Sequence, residues 1–235
     1  MNSQLSQSIL DAMAWMRAHG WQGMVDDDLI AEITALKFRP GQSLAQVEDE
    51  YATTLYEIMD DYANSERPIT AFRNRYNRAV NDAFNVAVVA GWADGGATGR
   101  IPGELQDWTN ERIDRESNFV ADMFNDLREM RKTSTPDQLA NFISDRAEGY
   151  TATLEGVYLQ GKAYAMGERP GQWQYGATEE HCDTCRMLAD KSPQPLRWFR
   201  DNGYIPRQRG SSTLECGGWR CDCSVVDPET GEQLL

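Results

Sequence analysis

Apolar residues along this chain fall mostly three and four apart, the spacing of helices that bury one face. Leu5, Ile9, Met13 and Met16 predict a helix over 5–19 that Gly20 stops. Leu29, Ile30, Ile33 and Leu36 predict a shorter one, capped by Asp26 and closed by Arg39-Pro40-Gly41. Ser43-Leu44-Ala45-Gln46 has the form of a capping box, and the stripe behind it is Val47, Tyr51, Leu55, Ile58 and Tyr62. After Pro68, a helix over about 70–92 carries Phe72, Tyr76, Val80, Phe84 and Val88, with Ala83, Ala87 and Ala90 small enough for a neighbour to approach closely. Arg73, Arg75 and Arg78 near its start form the solvated side.

The turn Asp94-Gly95-Gly96-Ala97-Thr98-Gly99 lacks the Gly-Lys-Ser/Thr ending of a phosphate loop. The next helix, over about 105–132, offers Ile113, Phe119 or Val120, Met123, Leu127 and Met130. Thr135-Pro136-Asp137-Gln138 supplies a cap, a proline at the first helical position and a box partner. One long helix to about 166 is expected to follow, with Leu139, Phe142, Ile143, Tyr150, Leu154, Tyr158 and Ala165 inward. Its glycines at 149, 156 and 161 lower helix propensity and suit tight packing against another helix. Beyond Pro170-Gly171 the period changes from helical to alternating. Trp173 and Tyr175 on one face predict a strand over 172–177, residues 196–203 predict two helical turns, and 221–226 predict a second strand.

All five cysteines lie in this last part: Cys182 and Cys185, then Cys216, Cys221 and Cys223. Two residues between cysteines let both thiolates reach one ion, and a second group some thirty residues later can close a tetrahedral site. Gly217 and Gly218 allow the tight backbone of such a knuckle. The expected cofactor is a structural zinc ion on Cys182, Cys185, Cys216 and Cys221, with Cys223 as the alternative to Cys221, because a Cys-x-Cys pair seldom gives both sulfurs to one ion. His181 is an adjacent substitute donor. The odd cysteine count and the absence of a secretion signal at the amino terminus argue against a disulfide framework. The expected fold is therefore mainly α: a helical domain over 1–170 and a cysteine-rich, zinc-stapled β-hairpin unit over 171–235, α+β overall. So small a unit has little core of its own, and the ion is expected to supply much of its stability.

These residues resemble the carboxyl-terminal part of the tailed-phage head morphogenesis proteins, also called minor head proteins. The likeness is carried by Trp173-Gln174-Tyr175-Gly176, by Thr178-Glu179-Glu180-His181-Cys182-Asp183-Thr184-Cys185 with Leu188-Ala189, and by Trp198 and Gly203-Tyr204-Ile205-Pro206. It ends on Leu214-Glu215-Cys216-Gly217-Gly218-Trp219-Arg220-Cys221-Asp222-Cys223. Arg146, Tyr150, Tyr158 and Gly161 fit the helix that the family places before its first cysteines, so the likeness covers about residues 140–226. Where many members carry a His-Pro pair, this chain has Cys216. The resemblance implies a virion structural or assembly protein that docks on portal or capsid proteins and resides in the host cytoplasm during assembly.

Charge adds a second candidate surface. The net charge of −14 disfavours broad binding to nucleic acid, yet residues 186–220 carry +4, from Arg186, Lys191, Arg197, Arg200, Arg207, Arg209 and Arg220 against Asp190, Asp201 and Glu215. Arg197, Arg200, Arg207 and Arg209 are the candidate contacts, to a partner subunit or, in the alternative reading as a zinc-stabilised DNA-binding module, to phosphates. Trp198 and Trp219 are candidate anchors of this loop, or packing for the knuckle. No apolar run approaches a membrane span. The acidic triplet Asp26-Asp27-Asp28 suits a helix N-terminus better than a metal loop. The only histidines, His19 and His181, lack hydrolase spacing, and no nucleophile elbow or dinucleotide fingerprint occurs, so neither an enzyme nor a small-molecule substrate is expected.

Overall fold

The computed structural model describes residues 43–65, 68–177, 181–219 and 221–235. The helices expected over 5–19 and after Asp26, with His19 and the acidic triplet, lie outside the described residues. So do Thr178-Glu179-Glu180 and Arg220. Within them the chain is mainly helical with a small antiparallel sheet: α1 (Leu44–Ala63), α2 (Ile69–Asp94), α3 (Gly103–Thr133), α4 (Pro136–Thr151), α5 (Thr153–Met166), β1 (Pro170–Gln174), α6 (Asp183–Lys191), β2 (Gln194–Pro195), α7 (Leu196–Asp201) and β3 (Ser224–Val226). No described helix is long and apolar enough to cross a membrane.

Two compact units emerge. Among the described residues, one takes in the chain from 43 to Val86 with Pro102–Leu154, the other Ala87–Ile101 with Glu155–Leu235. This division departs from the expected boundary at residue 170. Within the second unit, Gly91 and Gly161 bring the end of α2 and the middle of α5 into backbone contact. A Cβ at Gly161 would overlap the Val88 carbonyl, and one at Gly91 the Tyr158 carbonyl. Tyr158 also donates its hydroxyl to Asp94. Residues 87–101 and α5 therefore belong with the cysteine-rich part.

In the helical unit both capping boxes form as expected: Ser43 with Gln46, and Thr135 with Gln138 behind Pro136. Helix α3 starts after Pro102 without a side-chain cap, but Glu104 in its first turn and Arg131 and Lys132 in its last complement the helix dipole. The buried stripes join through edge-on aromatic contacts: Tyr62 lies 5.1 Å from Phe72 and 4.6 Å from Phe124, and Tyr76 lies 6.0 Å from Tyr150. Between the two residues left open by periodicity, Val120 is buried and Phe119 is 49% exposed.

The long helix expected to reach 166 is broken at Ala152. Thr151 Oγ1 donates to the Ala147 carbonyl and Thr153 Oγ1 to that of Tyr150, while the Ala152 amide reaches both Glu148 and Tyr150 carbonyls. Hydroxyl bonds on both sides of Ala152 compete with the helical ladder at one spot.

One ion pair is buried in this unit. Arg112 and Glu116, one turn apart on α3, face each other at 3.8 Å. Burial pushes the Glu116 carboxyl above its ordinary value, against the pull of Arg112 and Arg115. Burial, followed by the Glu116 charge, pushes the Tyr51 phenol well up, and burial, followed by the neighbouring Tyr51 and Tyr150 phenols, does the same at Tyr76.

The second unit has its own core: Leu159 and Ala163 of α5, Trp173, Leu188, Leu196, Phe199, Ile205, Leu214, Val225, Leu234 and Leu235, together with Cys185 and Cys223. It is larger than the sequence reading expected, because α5 and residues 234–235 contribute to it. Strand β1 is central, in the order β2-β1-β3, with Gly171 opposite Gln194 and Trp173 opposite Val225. Trp173 is buried against Phe199 at 6.1 Å, whereas Tyr175 lies past the strand and is exposed.

Two stability experiments follow from this packing. Gly161→Ala should destabilise the second unit by about 1–3 kcal/mol, the usual cost of forcing atoms into a filled contact, read from the midpoint of urea unfolding. Glu116→Ala should cost the helical unit about 3 kcal/mol by removing the carboxylate that faces buried Arg112, while the double change Arg112→Met/Glu116→Leu should restore wild-type stability or exceed it.

Candidate metal centre

The first cysteine pair sits where a loop enters α6. Cys182 is the N-cap residue in extended conformation, and Cys185 lies in the first turn, so the helical rise brings the two sulfurs to 3.4 Å. The backbone amides of Cys185 and Cys216 donate to the Cys182 sulfur. The second group approaches from the other side. Gly217 and Gly218 take φ of 61° and 74°, a region closed to most side chains, and the turn lets the Gly218 amide donate to Cys216. A Cβ at Gly218 would also overlap the Gln208 carbonyl, so that residue must be glycine on two counts. Cys223 directly precedes β3, and the Gly176 amide, just beyond β1, donates to its sulfur. The β1–β3 pairing thereby delivers Cys223 to the cluster.

Among the described residues the five sulfurs gather as two triads. Cys182, Cys185 and Cys216 form one, and Cys185, Cys221 and Cys223 the other, with all sulfurs of each triad within 4.8 Å of one another. Cys185 belongs to both, and its sulfur is 3.7 Å from that of Cys223. Both expected alternatives, Cys221 and Cys223, are present. None of the five is in a disulfide. Cys185 and Cys223 are buried, at 2% and 1% exposure, while Cys182, Cys216 and Cys221 are partly exposed. This cysteine cluster can hold a metal ion.

The proton balance of the sulfurs follows their surroundings. Bonds from the Cys185 and Cys221 thiols hold Cys223 down to about 3, and the same contacts with Cys221 and Cys223 raise Cys185. Burial pushes Cys216 up to about 11. At Cys182 burial works against the thiolate, but the bonds from Cys185 and Cys216 outweigh it and lower its value. Backbone amides aimed at sulfur favour thiolate, the form that binds metal.

Two features were not anticipated from sequence. Glu215, beside Cys216, accepts from the Asp183 amide at 2.8 Å, and the Glu215 amide donates to Thr184 Oγ1 at 3.2 Å. This reciprocal bridge satisfies one orphan donor at the start of α6, the Asp183 amide, and ties the two knuckles together. The signal available in sequence was a polar side chain next to a cysteine in each group. The second feature is the stack of the His181 ring on Tyr175 at 4.3 Å and 18°, which sets Nδ1 of this expected substitute donor 3.9 Å from the Cys223 sulfur.

Each of the candidate arginines has a partner within the chain. Arg197 pairs with Glu168 at 2.6 Å, Arg207 with Glu155 at 2.7 Å, and Arg200 with Asp201 at 2.6 Å while covering the Tyr164 ring. Arg209 lies over the Trp219 ring at 5.4 Å. Trp198 packs on Phe199 and Tyr204, as an anchor of its loop would. Trp219 lies over Gly217 of the knuckle with its ring and is otherwise 60% exposed.

Set against known proteins, the chain matches no family model, no curated protein and no solved structure.

The Glu215 bridge makes a specific expectation. Glu215→Ala should cost the second unit about 1 kcal/mol, the usual effect of losing a cap, and should weaken metal binding in competition with a chromophoric chelator. Glu215→Gln, which keeps an acceptor oxygen, should recover most of both.

Proposed function

We propose that this chain is a structural protein of phage head assembly whose second unit is stapled by zinc. The observation that carries the reading is the convergence of all five cysteines, from two segments thirty residues apart, on the edge of one apolar core. Zinc on thiolate uses bonds of about 2.3 Å, so two sulfurs on one tetrahedral ion stand about 3.8 Å apart. The sulfur separations of 3.4 and 3.7 Å suit that ion. The all-sulfur cluster and its backbone hydrogen bonds match structural rather than water-activating zinc chemistry. The resemblance of residues 140–226 to minor head proteins supplies the biological setting: docking on portal or capsid proteins, a place in the virion, and residence in the host cytoplasm during assembly.

In this reading the metal fixes the loop between the cysteine groups, which bears the exposed Trp219 under Arg209, and the helical unit supplies further docking surface. The alternative as a DNA-binding module draws less support. Three of its four candidate phosphate contacts, Arg197, Arg200 and Arg207, already face carboxylates of the same chain.

Two measurements test the proposal. Elemental analysis of the purified chain should find zinc, and removing it with a strong chelator should abolish the near-ultraviolet circular dichroism of the second unit, with Trp173 inside its core as reporter. Mass spectrometry of purified phage particles and proheads should find the chain. A zinc-free protein with an intact second unit refutes the metal assignment, and absence from both particles and portal complexes refutes the assembly role.

A further inference from the structure

Resting on the reading of the cysteine cluster as a zinc centre, the geometry points to a centre of two zinc ions joined through the Cys185 thiolate. One ion is held by Cys182, Cys185 and Cys216. The other is held by Cys185, Cys221 and Cys223, with the His181 imidazole as its fourth donor.

The donor count comes first. A tetrahedral ion accepts four ligands, and this site gathers five sulfurs with a ring nitrogen beside them. A single ion on the first triad leaves Cys221, Cys223 and His181 without a role, although Cys223 is among the most buried sulfurs and receives a backbone hydrogen bond from Gly176. A single ion on the second triad strands Cys182 and Cys216, each of which also receives backbone amide bonds.

The arrangement points the same way. The sulfurs gather as two groups of three that share Cys185, rather than as one group of four. Cys185 has Cys182 at 3.4 Å and Cys223 at 3.7 Å, close to the edge of about 3.8 Å for sulfurs bound to a common ion. A thiolate sulfur has lone pairs enough to bind two ions, and a bridging position suits the one cysteine common to both groups. The Cys-x-Cys pair fits because the Cys221 and Cys223 sulfurs both lie within 4.8 Å of each other and of Cys185. His181 is held in place by its stack on Tyr175, with Nδ1 3.9 Å from Cys223 Sγ.

Charge closes the argument. Two dications offset four of five thiolate charges, whereas one dication with four thiolates leaves a doubly negative group against an apolar core.

The test counts ions on the full chain. Metal-stripped protein is reconstituted with excess zinc, exchanged into a buffer containing a weak chelator to clear surface-bound ions, and analysed by native mass spectrometry and elemental analysis. Two zinc ions per chain are expected. One per chain overturns the bridged centre and leaves the structural zinc intact; none overturns both readings. His181→Ala removes a partly exposed donor outside the core, and should weaken one of the two ions about tenfold or more while leaving the other unchanged. Two ions of unchanged affinity in that variant would strike His181 from the ligand set and overturn the assignment.

Discussion

Cys185 holds the second unit together because two kinds of cohesion meet at it. Its side chain is part of the apolar core, and its sulfur is the point at which both cysteine groups converge. Closing a loop of thirty residues between the groups costs conformational entropy that a few surface contacts cannot offset. Here closure is shared among the sulfurs, the Glu215 bridge and the β1–β3 pairing that carries Cys223 to its place. Each brings its neighbours into position, and none is independent of the others. The glycine turn at 217–218 is a consequence of that closure, since only a chain without side chains at those points can bend back over Gln208 and still aim an amide at Cys216.

The helical unit is built on other terms. Its cohesion is spread over stripes of buried residues along α1, α2, α3 and α4, with aromatic rings meeting edge-on and capping boxes defining where two helices begin. The Arg112–Glu116 pair is an exception, a charged couple in an apolar interior. One unit is thus built on stripes along helices, the other on an apolar core with the cysteine cluster against it.

What could be read in the sequence tracks how local its physical cause is. Ser43 and Thr135 announced their helix starts because a capping box needs only four residues, and the stripe Val47, Tyr51, Leu55, Ile58 and Tyr62 was legible because period alone defines a buried face. The cysteines were legible from spacing, although spacing could not say that Cys185 would be common to two groups. What was missed depends on distant partners. The break at Ala152 arises where two threonine hydroxyls both turn back to carbonyls, a choice that helix propensity does not decide. The boundary near Leu154 depends on Gly91 and Gly161 meeting across seventy positions of sequence. The arginine island looked free in composition, yet Glu155 and Glu168, which pair with Arg207 and Arg197, lie outside the window in which its charge was counted.

The three-stranded sheet has a consequence for behaviour in crowded surroundings. Its outer members, β2 and β3, are two and three residues long. Val226 of β3 already bridges to Gln233. Neither border offers a run of backbone donors and acceptors long enough for a foreign strand to align against, so templated stacking of one copy on the next is discouraged. Many copies can therefore be packed at high local density without this sheet seeding fibrils.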